Sequence, residues 1–331
     1  MGINLAKKAS DKVVERFSLQ SCTEGLFTSK YNWTGVATVQ VYSVDTLPLQ
    51  SYDPTKVDGS SRFGNLTELG DTVQEMTVSD DKSFNGAIDK RNNTSQLMIK
   101  SASSVLKRQT DEVIIPYVDK YRLTKLANGA GLIDLGTAAP TKSTILEVLM
   151  TAGAKMSNAG VPKAGRVIYI GETDAVKLKL ADQVVGIDKL GEKAIVNGVC
   201  GSIDGAQVRV VPDSYIPTGC TFLIVKKGVA CAPKKIETYR ILEEHPNVDG
   251  AVVQGRFLHD CFVLDTQADG VLFGGVATAA NGGGFGYERV INPTGNPYTS
   301  GWFTRSGANM TAVPSTETTV NTAHTYYKKL T

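Results

Sequence analysis

Residues 94–126 carry the periodicity of one long amphipathic helix, and the segment that feeds into it from about residue 59 has little core of its own. After the good N-cap residues Asn92, Asn93 and Thr94, inward-facing positions recur at Met98, Ala102, Val105, Gln109 and Val113. Spacings of three or four predict a single buried face. Over residues 94–115 such a helix is roughly 33 Å long, at about 1.5 Å per residue. The pattern resumes at Val118, Tyr121 and Leu126, which predicts a kink at Pro116 with the helix continuing beyond it.

Ahead of the helix the period drops to two. Val73, Glu75 and Thr77 alternate with Gln74, Met76 and Val78, and Phe84 and Ile88 continue an extended, weakly apolar path, as a strand does. Residues 51–90 hold eight acids against four bases, whereas residues 91–130 hold seven bases against three acids. Charge alone favours two solvated faces. An extended arm, however, has to satisfy its backbone and apolar side chains on a surface supplied from elsewhere.

The 331 residues suffice for one large domain or two ordinary ones. A hydrophobic fraction of 41% with 21% charged residues is that of a folded protein. A net charge of +2 argues against a dedicated nucleic-acid binder. No apolar run has the length of a membrane span, and residues 1–17 are too charged for a secretory signal. Ala6 stands where a myristoylation signal needs Ser or Thr. Synthesis in the cytosol is the expectation. Cys22, Cys200, Cys220, Cys231 and Cys261 form no CxxC pair, and His245, His259 and His324 are scattered. Inert thiols fit better than metal ligands, and a Cys261/His259 nucleophile lacks a third partner. Neither a cofactor nor a metal is expected.

In chain order, Leu5, Ala9, Val13 and Phe17 form a four-residue repeat flanked by Lys7, Lys8, Lys12 and Arg16, a short basic amphipathic helix suited to a neighbouring protein surface. Residues 35–44 alternate as a strand, and residues 47–70 make an unusually long loop or hairpin tip. Residues 127–140 are rich in Gly and Ala and mark a boundary. A second helix spans 141–158 with Thr144 and Glu147 at capping-box spacing, a strand 166–170, and a third helix 172–182. The turn between the last two, Gly171-Glu172-Thr173-Asp174, puts acids where a phosphate needs bare amides. A hairpin around Asp204-Gly205, a strand at 221–225, and strands at 236–242 and 251–264 then give a β texture. Residues 271–286 read as a glycine-rich linker, and 292–331 as a small β appendage holding Tyr298, Trp302, Phe303, Tyr326 and Tyr327.

Four stretches in this order resemble the major capsid proteins of tailed bacteriophages with the Hong Kong 97-like fold. They are Gly59-Ser60-Ser61-Arg62-Phe63-Gly64, residues 76–89 (MTVSDDKSFNGAID), residues 112–121 (EVIIPYVDKY) and residues 250–270 (GAVVQGRFLHDCFVLDTQADG). The likeness spans about residues 1–270. It implies an α+β chain with an N-terminal arm (1–34), an E-loop (35–92), the spine helix of a peripheral domain (93–132), an axial domain (133–245) and a return to the peripheral domain (246–270). A linker (271–291) and a β extension (292–331) depart from the family type.

In that family the E-loop lies over a neighbouring subunit. The resemblance therefore implies contacts between copies through Arg62, Phe63, Asp80, Asp81 and Phe84 of the E-loop, Lys100, Lys107 and Arg108 of the spine, and Val13 and Phe17 of the arm. Charge complementarity between the acidic arm and another copy's basic helix would set their register. The implied protein builds hexamers and pentamers of an icosahedral shell around double-stranded DNA, with no catalytic residues. Its implied partners are itself, scaffolding and portal proteins, a decoration protein and the packaged DNA, with no membrane, and its place is the virion. No long scaffolding segment precedes the arm, so a scaffold is expected as a separate or cleaved protein. The rival readings are an encapsulin-type compartment shell, a nucleotide-binding enzyme with a Rossmann-like middle domain, and a carbohydrate binder using the aromatic tail.

Overall fold

The computed structural model describes residues 21–33, 38–44, 46–56, 62–95, 101–181, 199–243, 246, 248–276, 285–290, 296–306, 309–321 and 324–329. The amphipathic segment with Val13 and Phe17, and Met98 and Lys100 of the long helix, lie outside these residues.

Strands β1 (Thr38–Val44) and β2 (Asp71–Thr77) pair antiparallel from Thr38↔Thr77 to Val44↔Asp71, which makes residues 46–70 the tip of a hairpin. The chain turns and enters β3 (Asp80–Asp89), then the short helix α1 (Lys90–Ser95). Asn92 is no N-cap: its N–H donates to Asp89 Oδ1 at 2.8 Å, so Asp89 caps α1. The long helix starts later than its periodicity predicts, because Ser101 is extended, with φ −92° and ψ 134°. From there α2 (Ala102–Gln109), a π turn (Thr110–Ile114) and α3 (Ile115–Asn128) run without a break.

A π turn stands immediately ahead of Pro116, where the periodicity predicts a kink. Proline has no N–H to give to the preceding turn, and the Ile115 N–H reaches back five residues to the Thr110 carbonyl. One inserted residue rotates everything after it relative to an ideal helix. Val113, predicted inward, is therefore 50% exposed, and Ile114 takes its place in the core.

Strand β4 (Leu132–Gly136) falls inside the Gly/Ala-rich stretch that reads as a boundary. Helix α4 (Ile145–Asn158), β5 (Arg166–Gly171) and α5 (Glu172–Lys179) follow. The capping box at α4 does not form, since Thr144 Oγ1 accepts from the Thr141 N–H at 3.0 Å. Strands β6 (Val199–Ile203) and β7 (Ala206–Val211) meet at Asp204-Gly205, whose φ angles of 49° and 80° fit a primed hairpin turn. The remaining strands are β8 (Cys220–Lys226), β9 (Ala230–Cys231), β10 (Lys234–Leu242), β11 (Gly250–His259), β12 (Phe262–Val263), β13 (Val271–Val276), β14 (Phe285–Arg289), β15 (Phe303–Ser306), β16 (Asn309–Ala312) and β17 (Tyr326–Lys329).

Two sheets organise the molecule. The smaller is antiparallel in the order β10-β11-β3. The larger runs β16-β15-β17-β14-β4-β13-β8-β5-β7-β6, with β4/β13 and β5/β7 parallel. Its central strands are apolar on both faces, as strands covered twice must be. Ile168, Ile170, Phe222 and Ile224 pack with Ile145, Leu149 and Met156 of α4 on one side. Val167, Tyr169, Leu223 and Val225 pack with Leu123 and Leu126 of α3 on the other.

Residues 271–276 are thus no linker but a strand inside the large sheet, where Gly274 admits the Phe222 ring, 2.2 Å from where a Cβ would stand. The final strands are no separate appendage either. β14 pairs with β4, and Tyr287, Met310 and Tyr327 belong to the same core as Leu223 and Phe273.

Candidate assembly surface

The hairpin has a well-held root and an uncovered tip. At the root, Met76 is fully buried with Trp33, Cys231 and Leu264. Gln74 Nε2 donates to the Val263 carbonyl at 2.8 Å, and its Oε1 accepts from the Asp265 N–H at 3.0 Å. Across the same stretch the strands hold each other: Thr38 and Thr77 hydroxyls meet at 2.7 Å, and Gln40 Nε2 donates to Glu75 Oε1 at 2.6 Å. The tip keeps its shape by an Asp53 N–H bond to the Arg62 carbonyl, by Gln50 bonded to the backbone of Asn65, and by an edge contact of Tyr52 with Phe63. Yet Leu49 and Leu66 are 103% and 102% exposed, and Leu47, Tyr52, Phe63 and Leu69 are exposed as well. Apolar side chains gathered this way on a projection mark an interaction surface.

The predicted contact residues separate. Arg62 and Phe63 sit on the tip, where the Arg62 Nε donates to the Lys56 carbonyl at 2.8 Å. Asp80, Asp81 and Phe84 lie instead on β3, inside the small sheet, and meet partners of their own chain. Arg256 grips Asp81 through Nε at 3.0 Å and Nη2 at 2.5 Å, and these hydrogen bonds hold the Asp81 carboxyl below its ordinary range. Tyr117 donates its hydroxyl to both Asp80 oxygens, at 3.1 and 3.0 Å. Phe84 lies across Gly255, where a Cβ would come 2.2 Å from its ring, and beside Tyr239. Asp80 and Asp81 thus have partners within their own chain, Tyr117 on α3 and Arg256 on β11. Lys107 is exposed on α2, and Arg108 Nε pairs with Glu112 at 3.2 Å, one turn on.

Two buried carboxylates, unmarked by any motif, bind the segments together. Asp119 of α3 accepts from the Ser21 hydroxyl (2.8 Å), the Cys22 N–H (2.8 Å) and the Thr23 hydroxyl (2.6 Å), tying residues 21–23 to the helix. Asp260 accepts from the Cys261 N–H (2.8 Å), Ser79 N–H (3.1 Å) and hydroxyl (2.8 Å), and Tyr121 hydroxyl (2.9 Å), with Lys125 Nζ at 3.3 Å. Burial opposes its charge, but these bonds and Lys125 outweigh burial and hold the carboxyl below its ordinary range. Asp260 thereby joins the foot of the hairpin to the helix.

The rival chemistries find no support here. Burial drives the Cys261 thiol far up, away from the thiolate a nucleophile needs. It pushes the neighbouring His259 down, with Asp80 pulling the other way less strongly. At the start of α5 the Thr173 N–H and hydroxyl donate to Asp213 at 3.2 and 2.5 Å, so a carboxylate already sits where a phosphate would bind. Among the described residues no helix is long and apolar enough to cross a membrane.

No protein-family model matches the sequence, and no curated protein matches it. Solved structures do match. The structure of Mycobacterium phage Che8 superimposes with a TM-score of 0.67 over 82% of this chain and 96% of that one, at 17% identity. A capsid structure of cyanophage P-SCSP1u gives 0.65 over 82% and 93%, also at 17% identity. The mature capsid of bacteriophage PhiM1 gives 0.64 over 83% and 92%, at 9% identity. What is shared at such identities is the course of the chain. This protein therefore has the Hong Kong 97-like fold of phage capsid proteins.

Proposed function

We propose that the protein is the major capsid protein of a tailed bacteriophage, which assembles with itself into hexamers and pentamers of an icosahedral head shell. The observation that carries this reading is the hairpin. A body that roots a limb so firmly while leaving Leu49 and Leu66 in water fits a subunit whose limb is covered by another copy. Contacts of that head-to-tail kind close into rings when the rotation allows. A net charge of +2 suits an inner wall that lets double-stranded DNA be packed without trapping it. Scaffolding, portal and decoration proteins are the further partners on this reading, and the shell is built in the cytoplasm of the bacterial host before it becomes part of the virion. The role is structural, with no catalytic residue.

Negative-stain microscopy of the expressed protein, alone and with a phage scaffold, tests the proposal. Closed particles of uniform size are the expected result. A monomer at every concentration, with or without scaffold, overturns it.

A further inference from the structure

Shell formation through the hairpin leaves the last strands of the chain without a task. Strands β14 to β17 lie beyond the stretches that resemble capsid proteins and extend one end of the large sheet. Their aromatic residues divide between its two faces. In the β15–β17 pair Phe303 stands opposite Tyr327, and both pack into the main core. Successive side chains of a strand point to opposite faces. The neighbouring Tyr326 therefore looks the other way, where its ring meets Trp302 at 5.5 Å and His324 at 6.2 Å between centroids.

Polar groups are fixed around this second face. Tyr326 is fully buried, and its hydroxyl accepts from the Asn321 N–H at 2.9 Å and donates to Glu317 Oε1. His324 Nδ1 donates to the same oxygen at 3.0 Å. The hydrogen bonds from Tyr326 first, and from His324 next, hold the Glu317 carboxyl below its ordinary range. Both bonds fall on Oε1, and Oε2 takes part in neither. With the hydrogen on Nδ1, the Nε2 of a neutral imidazole is an acceptor. The side chains of His324 and Glu317 keep 42% and 15% of their surface in water. Trp302 is partly exposed, and Tyr298, on the turn that leads into it, is exposed. That turn is pinned by Asn296 Oδ1, which accepts from the Tyr298 and Thr299 N–H groups at 3.0 and 3.2 Å, and by a Trp302 N–H bond to the Pro297 carbonyl at 3.2 Å.

A partner for this face needs an apolar side for the aromatic rings and adjacent donors for two acceptors held in place. A pyranose ring has both, with C–H groups on its faces and hydroxyls around its edge. A wholly apolar partner would strand the acceptors, and an anion would meet the Glu317 carboxylate. We propose that this end of the large sheet binds a neutral saccharide, as an activity of the subunit additional to assembly. The sugar face lies on Trp302 and Tyr298, and neighbouring hydroxyls donate to Glu317 Oε2 and His324 Nε2. The bonds already made by Glu317, His324 and Tyr326 set these groups in advance, so little side-chain freedom is lost on binding.

The test applies the fluorescently labelled full chain to an array of neutral glucan, mannan, galactan and chitin oligosaccharides, and titrates the series that binds by calorimetry. Binding of at least one series is expected, unchanged by added salt because the ligand carries no charge. Trp302→Ala, Tyr298→Ala and Glu317→Gln are each expected to weaken it by about tenfold. Tyr298 is exposed, and Glu317→Gln keeps the length of the side chain, so these two variants report on binding even if Trp302→Ala disturbs the fold; urea unfolding of each variant checks this. Absence of binding to every series by the folded chain overturns the proposal. So does binding that salt abolishes, or that Tyr298→Ala and Glu317→Gln leave at wild-type strength. The shell-forming reading stands or falls separately, on the particles seen by microscopy.

Discussion

Replacing Leu49 and Leu66 together by Asp separates assembly from folding. Both side chains are fully exposed in the free subunit, so their loss removes no internal contact. Subunit stability is expected to stay within about 0.5 kcal/mol, as for surface positions generally. In the shell each leucine that becomes covered contributes about 1.5–3 kcal/mol, so the pair is worth about 3–6 kcal/mol per hairpin. At about 1.4 kcal/mol per tenfold change in an equilibrium constant, this raises the concentration at which particles form by about 10² to 10⁴. Light scattering and microscopy over a dilution series measure the threshold, and urea unfolding of the subunit measures its stability. Leu123→Ala is the reciprocal control, because Leu123 is fully buried and its truncation costs about 2–5 kcal/mol of folding. Particles that form at the wild-type threshold in the double variant would refute the reasoning.

Three further outcomes follow from the interior. Asp260→Ala strips the partner from Ser79, Tyr121, Lys125 and the Cys261 N–H, and about 3–5 kcal/mol of stability should be lost in urea unfolding; a loss below about 1 kcal/mol contradicts the role given to it. Burial keeps the His259 pKa below its ordinary 6.5, so the unfolded chain takes up the proton first. This contribution is therefore unchanged above about pH 6.5 and destabilises as the pH falls from there toward the lowered folded value, with the carboxylates acting only at more acid pH. His259→Gln should flatten that slope, and identical slopes for the two proteins would exclude it. Gly274→Ala drives a Cβ to within 2.2 Å of the Phe222 ring, so calorimetry should find a melting point lower by several degrees, from a cost of about 1–3 kcal/mol.

Elements whose pattern follows from burial alone were legible in the sequence. The apolar runs of β5 and β8, the Asp204-Gly205 turn and the face of α4 all appear close to where periodicity and turn chemistry predict them. The inward face of the long helix was not, because a reading by threes and fours cannot register the residue that the π turn inserts between Gln109 and Ile114. Nor was β13. Gly274 and Gly275 look like linker composition, yet they are glycines because Phe222 and the Gly219 carbonyl crowd the positions where their side chains would be. At the candidate surface the length of the tip was plain, whereas the pairing of Asp81 with Arg256 joins residues 175 apart and leaves no local signal.

The pairing of β4 also has a meaning for how the subunit is made. Its two neighbours, β13 and β14, are among the later strands of the chain. A ribosome releases β4 long before either of them, and until they emerge both of its edges are unpaired. A chain cut short before residue 271 therefore carries β4 with neither of its ladder partners, and the large sheet closes only once β13 and β14 are present.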